Sequence, residues 1–331
     1  MPRPDQGGDD RPTDQKRSAK GLRQDFDARA RAARTDFEAQ LRQRKADFGA
    51  RNEALTARTG RNLPAAIGIA LAFAVVMLGS LLIWTPSFMV VAAFLLGVGV
   101  YELASAMRFA GRDVPRIPSV LVAVGVVPAA YLGGQIPALF TLLGGIVFIS
   151  LWRLVEVALA RTKPPAGNVV RDLTNGLFVQ AYITLLGACV VLLSAQPDGK
   201  LWVIAFILVV VAVDTGAYAT GLNFGKHPMA PRISPKKTWE GFAGSVAASI
   251  LVGIIVSWLM LGLPWWTGII LGVLISGSAT LGDLTESMIK RDLGIKDISS
   301  FLPGHGGLLD RIDSILPSAA VAYVLYLVVN H

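Results

Sequence analysis

Charged and small residues capable of chemistry are concentrated between positions 282 and 314, a stretch bounded by two apolar runs. It contains six carboxylates, four Lys or Arg and one histidine. Asp283, Glu286 and Lys290 follow i, i+3, i+7 spacing, so they share one face if the preceding helix continues through them. Paired carboxylates without cysteine are typical ligands of a hard cation such as Mg²⁺.

The same stretch contains the run Pro303-Gly304-His305-Gly306-Gly307, followed by Asp310 and Asp313. The glycines let the backbone approach a ligand, and a helix that begins there is expected to bind an anion through free N–H groups. Metal-binding carboxylates beside basic residues suit phosphoryl or nucleotidyl transfer, in which positioning and charge neutralisation dominate. The alternative interpretation is a salt-bridged cytoplasmic loop.

A second polar stretch begins at Asp214 and extends to Gly241. Its lysines stand among Gly and Pro, a pattern that favours close approach to an anionic group. Taken alone it could equally be a basic loop that only sets topology.

The elements that position these residues are predicted to be membrane helices. The chain has 331 residues, of which 53% are hydrophobic and 16% charged, and its mean hydropathy is +0.54. A soluble domain has roughly 25% charged residues, whereas a membrane span needs about 20 mostly apolar ones. Nine spans are predicted: 64–84, 87–107, 117–134, 137–158, 175–195, 201–221, 241–261, 264–281 and 312–330. The expected fold class is therefore an all-α polytopic membrane protein.

Basic residues fix the predicted orientation. With the N-terminus in the cytoplasm, 14 of the 16 Lys and Arg beyond position 62 fall on the inside, and only Lys200 falls in an outside loop. This asymmetry follows the positive-inside rule and places the C-terminus outside. The net charge of +8 therefore reflects basic residues on one side of the membrane and a basic tail suited to anionic lipid. No nucleic-acid partner is expected.

Residues 1–62 form a predicted basic cytoplasmic tail ahead of the membrane domain at 63–331. Residues 1–19 are expected to be disordered. Between 24 and 56, Asp-Phe pairs recur every 11 residues, which places the phenylalanines on one face of a helix. The tail is thus either an amphipathic helix on anionic lipid or a marginal solvated helix.

Three further ionisable residues, Glu102, Arg153 and Glu156, lie at predicted membrane depth, where such groups are functional candidates. Arg153 and Glu156 are three apart, so they can simply pair with each other. Glu102 lies near a cytoplasmic span end, where an anchoring role is an alternative. The single cysteine, Cys189, excludes an intramolecular disulfide.

The motifs together resemble those of the phosphatidate cytidylyltransferase, or CDP-diacylglycerol synthase, family. The resemblance rests on Ser287-x-x-Lys290-Arg291, Lys296-Asp297, the glycine run at 303–307 with Asp310-Arg311-x-Asp313-Ser314, Asp214-Thr215-Gly216-Ala217-Tyr218, Phe224-Gly225-Lys226, and 233–241. It is specific over 210–314. Leu222 departs from it, because a basic residue is expected there.

The resemblance implies an enzyme that joins CTP to phosphatidate, giving CDP-diacylglycerol and pyrophosphate. It implies nine membrane helices, a homodimer, and Mg²⁺ with an optional K⁺ beside it, located at the cytoplasmic face of the cell (plasma or inner) membrane. Asp283 and Asp310 would be the metal ligands, and Asp313 would either ligate metal or orient Arg311. The catalytic candidates are Asp283, Lys290, Arg291, His305, Asp310 and Arg311. The substrate-binding candidates are Asp214, Lys226, Ser234, Lys236, Lys237, Lys296, Gly306 and Gly307.

Other function classes make different demands on the sequence. A secondary transporter would place polar residues near the bilayer midplane between repeated halves, whereas here they cluster at cytoplasmic span ends. A CTP-dependent lipid kinase, or a synthase acting on isoprenoid-ether lipids, would use the same nucleotide. Labelled CTP distinguishes these enzymes.

Overall fold

A computed structural model describes residues 75–299 and 307–330. The predicted tail at 1–62, most of the predicted span 64–84, and His305 and Gly306 lie outside the described residues. Residues 75–83 are helical. The other helices are α1 (Thr85–Phe109), α2 (Arg116–Gly133), α3 (Gln135–Leu159), α4 (Ala166–Val179), α5 (Leu186–Ser194), α6 (Gly199–Phe224), α7 (Trp239–Leu259), α8 (Trp265–Asp292), α9 (Leu309–Ile312) and α10 (Ile315–Asn330).

Eight of the nine predicted spans coincide with helices long and apolar enough to cross a membrane. They are Pro86–Phe109, Arg116–Gly133, Gln135–Leu159, Ala166–Ser194, Gly199–Phe224, Trp239–Leu259, Trp265–Asp292 and Leu309–Asn330. The predicted all-α multi-pass membrane fold is confirmed. The count of nine and the sidedness of the termini stay predictions.

Two predicted boundaries are wrong, and polar residues explain both. The span predicted at 175–195 begins at Ala166 and runs through a π-helical segment, Gln180–Leu185. Hydropathy misses its first turns because they include Arg171 and Asp172. The span predicted to end at 281 continues to Asp292, so that α8 carries polar residues in its last three turns.

Asp172 is tolerated at this depth because Arg153 of α3 neutralises it. The Arg153 Nη2 atom lies 2.7 Å from Asp172 Oδ2, and both side chains are buried. The predicted pairing of Arg153 with Glu156 is also present, at 3.2 Å. Asp113, in the loop between α1 and α2, is a third partner at 3.0 Å. The group therefore ties three parts of the chain together.

The last helix, α10, packs against α5, α6 and α8. Its buried face includes Leu316, Ala319 and Tyr323. Large apolar side chains on outward faces are exposed, among them Leu132, Phe140 and Val328. In a membrane protein such faces meet lipid, which is as apolar as the side chains themselves.

Glycines allow α7 and α8 to pack closely. A Cβ atom added at Gly272 of α8 would lie 2.6 Å from Ile250 Cα of α7, and one at Gly268 would meet the backbone of Gly253. Small residues at such crossings let membrane helices approach backbone to backbone. The packing holds the α7 and α8 ends that flank the polar site.

The polar stretch between α6 and α7, predicted as a loop, contains a two-stranded antiparallel hairpin. Its strands are β1 (Pro228–Ala230) and β2 (Ser234–Thr238). Thr238 then caps α7, since its Oγ1 accepts a hydrogen bond from Gly241 N at 3.1 Å. Glu240 Oε2 accepts hydrogen bonds from the backbone N–H groups of Lys226 and His227. These contacts fix the hairpin and the residues just before it to the beginning of α7.

Candidate active site

Three carboxylates converge where α8 meets the beginning of the last span. Asp283 and Glu286 lie one turn apart on α8, and Asp313 lies between α9 and α10. One oxygen from each lies within 4.8 Å of the others. Glu286 is only 2% exposed and Asp313 only 8%. Gly282 permits this approach, since a Cβ atom there would meet the backbone carbonyl oxygen of Asp313.

Two lysines from different elements pair with these carboxylates. Lys237, on β2, places its Nζ atom 2.5 Å from Asp283 Oδ2. Lys290, one turn beyond Glu286 on α8, lies 2.5 Å from Glu286 Oε2 and 3.5 Å from Asp310 Oδ1. Counting Asp310, four carboxylates therefore face two ammonium groups, an arrangement whose excess formal negative charge suits a cation.

A cavity of about 290 Å³ opens beside the cluster, between α6, β2, α7 and α8. It brings together four residues that the sequence singled out, Asp214, Lys236, Lys237 and Asp283. Its lining is mixed, since it also includes apolar side chains such as Val213. The lining residues are Val213, Asp214, Ala217, Tyr218, Gly221, Met229, Lys236, Lys237, Thr238, Gly241, Phe242, Ser245, Ala279, Thr280 and Asp283.

Several other predicted site residues lie away from the wall of this cavity. Lys226, Lys296 and Arg311 are exposed, and Arg291 Nε donates a weak hydrogen bond of 3.5 Å to the Ile233 carbonyl. Ser234 is half-buried at the beginning of β2, and Leu222, where a basic residue was expected, is 70% exposed. The structure thus separates an inner group of charges from an outer basic group.

The expected anion site at the glycine run stays a prediction, because Gly307 is the one residue of that run that the structure describes. Gly307 N donates to Asp310 Oδ2 at 3.0 Å, and Leu308 N and Leu309 N donate to the Glu102 carboxylate at 3.0 and 2.9 Å. The N–H groups at the beginning of α9 therefore already bind carboxylates of the protein, so they are not free for phosphate.

Sequence reasoning missed the roles of Glu102 and Glu286. The sequence predicts that Glu286 shares a helix face with Asp283, but not that it belongs to the acidic cluster. Its i+3 spacing from Asp283 was the available signal. The sequence marks Glu102 as a functional candidate, with an anchoring role as the alternative, but indicates no partner for it. Glu102 is 3% exposed and contacts the chain some 200 positions downstream, which no local pattern reveals.

The acidic cluster has the chemistry that a hard metal ion requires. Its donors, Asp283, Glu286 and Asp313, are carboxylate oxygens from two separate elements. The Oε1 atom of Glu286 is buried and has no hydrogen-bond partner among the described residues. A buried carboxylate oxygen without a donor is costly unless a cation satisfies it. These residues therefore fit a divalent cation.

The comparisons with known proteins agree with this geometry. The sequence pattern of the cytidylyltransferase family matches residues 60–329. A protein of Mycobacterium bovis named phosphatidate cytidylyltransferase is 38% identical over 275 residues, covering 82% of this chain and 90% of the relative. One of Mycobacterium leprae with the same name is 38% identical over 82% of this chain and 89% of the relative. One of Synechocystis, again so named, is 46% identical over 129 residues, which are 38% of this chain and 43% of the relative.

The matched region includes every described helix except the last residue of α10, and both the cavity and the acidic cluster lie inside it. The multi-pass helical fold, the family match over 60–329 and the similarity over 82% of the chain all lead to one assignment. The chain belongs to the cytidylyltransferase family and is a membrane-spanning nucleotidyltransferase.

Proposed function

We propose that the chain transfers the cytidylyl group of CTP to phosphatidate, forming CDP-diacylglycerol and pyrophosphate at the cytoplasmic face of the cell (plasma or inner) membrane. The observation that carries the proposal is the position of Asp283 and Lys237, which line the cavity while Asp283 also belongs to the acidic cluster. The names of the relatives that match four fifths of the chain support the same reaction.

The acidic cluster is the proposed metal site. Asp283 and Asp310 are proposed to hold Mg²⁺, with K⁺ as an optional second ion, and Asp313 either ligates the metal or orients Arg311. Glu286 joins them because it lies in the cluster with Asp283 and Asp313. A divalent cation bound there would neutralise phosphate oxygens and offset the repulsion between two polyanionic substrates. Lys290 contributes by holding Glu286 and Asp310 in place from the adjacent turn of α8.

The reaction requires little from the protein beyond positioning. A phosphate oxygen of phosphatidate attacks the α-phosphorus of CTP, the new O–P bond forms, and the bond to the β-phosphate oxygen breaks. The electron pair leaves with pyrophosphate. Because the attacking phosphate is already an anion, no strong general base is required. Lys236 and Lys237, on the cavity wall, are placed to neutralise the triphosphate as charge moves to the leaving group.

The outer basic group is proposed to bind the remaining phosphate oxygens. Lys226, Ser234, Arg291, Lys296 and Arg311 keep this role, with His305, Gly306 and Gly307 assigned by motif alone. The Gly307 N–H donates to Asp310 Oδ2, so it would have to leave that carboxylate to bind a phosphate. The acyl chains of phosphatidate would stay in the bilayer, which accounts for a phosphate chemistry built on membrane helices. A homodimer is part of the proposal, on the strength of the family resemblance.

Purified protein incubated with α-labelled CTP and phosphatidate tests the proposal. We expect the label in a chloroform-soluble product that co-migrates with CDP-diacylglycerol and requires Mg²⁺. A lipid kinase would instead produce an unlabelled phosphorylated lipid. An isoprenoid-ether substrate preference would appear as product only when that lipid replaces phosphatidate, and either of these outcomes would refute the proposal.

A further inference from the structure

Glu102 is a buried carboxylate of α1 that accepts three hydrogen bonds. Its Oε1 atom accepts from Ser299 Oγ at 2.5 Å and from Leu308 N at 3.0 Å, while Oε2 accepts from Leu309 N at 2.9 Å. No basic side chain among the described residues forms an ion pair with it. Hydrogen bonds to an ionised acceptor are roughly twice as strong as neutral ones, so this group fixes its donors firmly.

The three donors lie on both sides of the signature segment 300–306. Ser299 precedes the segment, and Leu308 and Leu309 follow it. One carboxylate on a distant helix therefore holds the two ends of the segment together. The neighbouring face of α1 supports this contact, since a Cβ atom added at Gly99 would lie in van der Waals contact with Leu309 and Ile312 of α9.

The contact leads directly to the acidic cluster. Leu309 is followed by Asp310, whose Oδ2 accepts from Gly307 N at 3.0 Å, and Asp313 lies one turn further on. A change in how α9 begins would therefore move both aspartates relative to Asp283 and Glu286, which α8 holds independently.

We propose that Glu102 is a positioning residue of the active site, which sets the start of α9 and thereby places Asp310 and Asp313 against the α8 carboxylates. It contacts neither the cavity nor the acidic cluster itself, and it acts through the backbone of Leu308 and Leu309. The inference rests on the proposed function for its catalytic consequence, but its structural part can be tested without substrate.

The chemistry of the contact requires a carboxylate. All three partners are donors, and a carboxylate offers only acceptor atoms, whereas a glutamine would direct its NH₂ group at one of the backbone N–H groups. Gly307 adds a steric requirement, because a Cβ atom there would lie 3.0 Å from Glu102 Oε2. Glu102→Gln, which keeps the size of the side chain, is therefore the most informative change.

The first measurement is amide hydrogen exchange on the full-length protein in lipid nanodiscs, without nucleotide or metal. We expect the Leu308 and Leu309 amides to exchange roughly tenfold faster in Glu102→Gln than in the wild type. Glu156→Gln is the matched control, because it makes the same chemical change in a carboxylate that pairs with Arg153. It should leave these two amides unchanged.

The second measurement is kinetic. Loss of a residue that orients metal-binding carboxylates typically costs 10–100-fold in activity or metal affinity. We therefore expect kcat to fall by about that factor and the Mg²⁺ requirement to rise, while KM for CTP changes far less because the cavity wall is intact. A rise in KM for CTP with kcat preserved would overturn the positioning role.

The outcomes separate the inference from the proposed function. Unchanged exchange at Leu308 and Leu309 overturns the inference, and so does faster exchange with unaltered kcat. A wild-type protein that makes no CDP-diacylglycerol refutes the proposed function alone, since the exchange result stands without substrate. If Glu102→Gln does not fold, Ser299→Ala removes one donor from the same carboxylate and is judged by the same two measurements.

Discussion

At the residue scale, pairs of opposite charge join α8 to the β1–β2 hairpin and to the beginning of the last span. The shared face of Asp283, Glu286 and Lys290 follows from helical spacing, and the Glu286–Lys290 pair is present at 2.5 Å. The meeting of Asp283 with Lys237 was not predictable, because it depends on how the β1–β2 hairpin folds against α8. Long-range pairs of this kind carry no periodic signal.

Asp283→Asn and Asp310→Asn are each expected to abolish CDP-diacylglycerol formation, by about 100-fold or more, because neutral amides are poorer ligands for a hard cation. Initial rates at saturating Mg²⁺ measure the effect. Asp198→Asn is the matched control, since Asp198 is exposed between α5 and α6 and has φ +54°, a conformation that Asn tolerates well. Near-normal turnover of either site variant would refute the metal assignment.

Lys237→Gln tests the counter-charge on the cavity wall. We expect KM for CTP to rise by roughly tenfold, because one charge-assisted contact to the triphosphate is lost. Lys200→Gln makes the same change in an exposed lysine at the beginning of α6, remote in sequence from the hairpin, and should leave KM unchanged. Equal kinetics for both variants would show that Lys237 serves only to neutralise Asp283.

At the element scale, the site depends on the crossing of α8 with the last span. The sequence predicted the apolar part of α8 but ended it eleven residues early, since hydropathy falls where the polar face begins. Hydropathy does not indicate whether the helix continues through those polar residues. Contacts with Lys237, Asp310 and Asp313, which are distant in sequence, stabilise this part of α8. The hairpin was missed because its five-residue strand β2 is polar and lacks an alternating pattern.

Gly282→Ala is expected to disturb this crossing, because the added methyl group would meet the Asp313 carbonyl oxygen. Overpacking of this kind costs about 1–3 kcal/mol, and we expect a lower thermal midpoint together with reduced activity. Gly277→Ala, on the same helix, adds a methyl group into open space, so it serves as the control. A Gly282→Ala protein as stable and active as Gly277→Ala would contradict this packing.

At the scale of the whole molecule, hydropathy was sufficient for the fold class, whereas the orientation from charge asymmetry stays a prediction. Eight spans match because an apolar run of about 20 residues in a chain of this composition is typical of a membrane helix. The order in which helices pack was not predictable, since lipid-facing and protein-facing apolar residues look alike in sequence. The packing of α10 against α5, α6 and α8 is one example.

The predicted orientation can be tested with cysteines introduced one at a time into a Cys189→Ala background. We expect Lys200→Cys to react with a membrane-impermeant maleimide in intact cells, and Arg232→Cys to react only after permeabilisation. Both positions are exposed, so accessibility reports sidedness. The reverse pattern would show that the N-terminus is outside and that the active site faces away from cytoplasmic CTP.

The central claim is that this protein transfers the cytidylyl group of CTP, which contains the α-phosphorus, to phosphatidate. The most direct test supplies purified protein with CTP carrying different isotopes at the α and γ positions. We predict that the α label enters the lipid phase while the γ label appears in pyrophosphate, in equal amounts. Appearance of the γ label in lipid, or retention of both labels in the aqueous phase in the presence of phosphatidate and Mg²⁺, would contradict it.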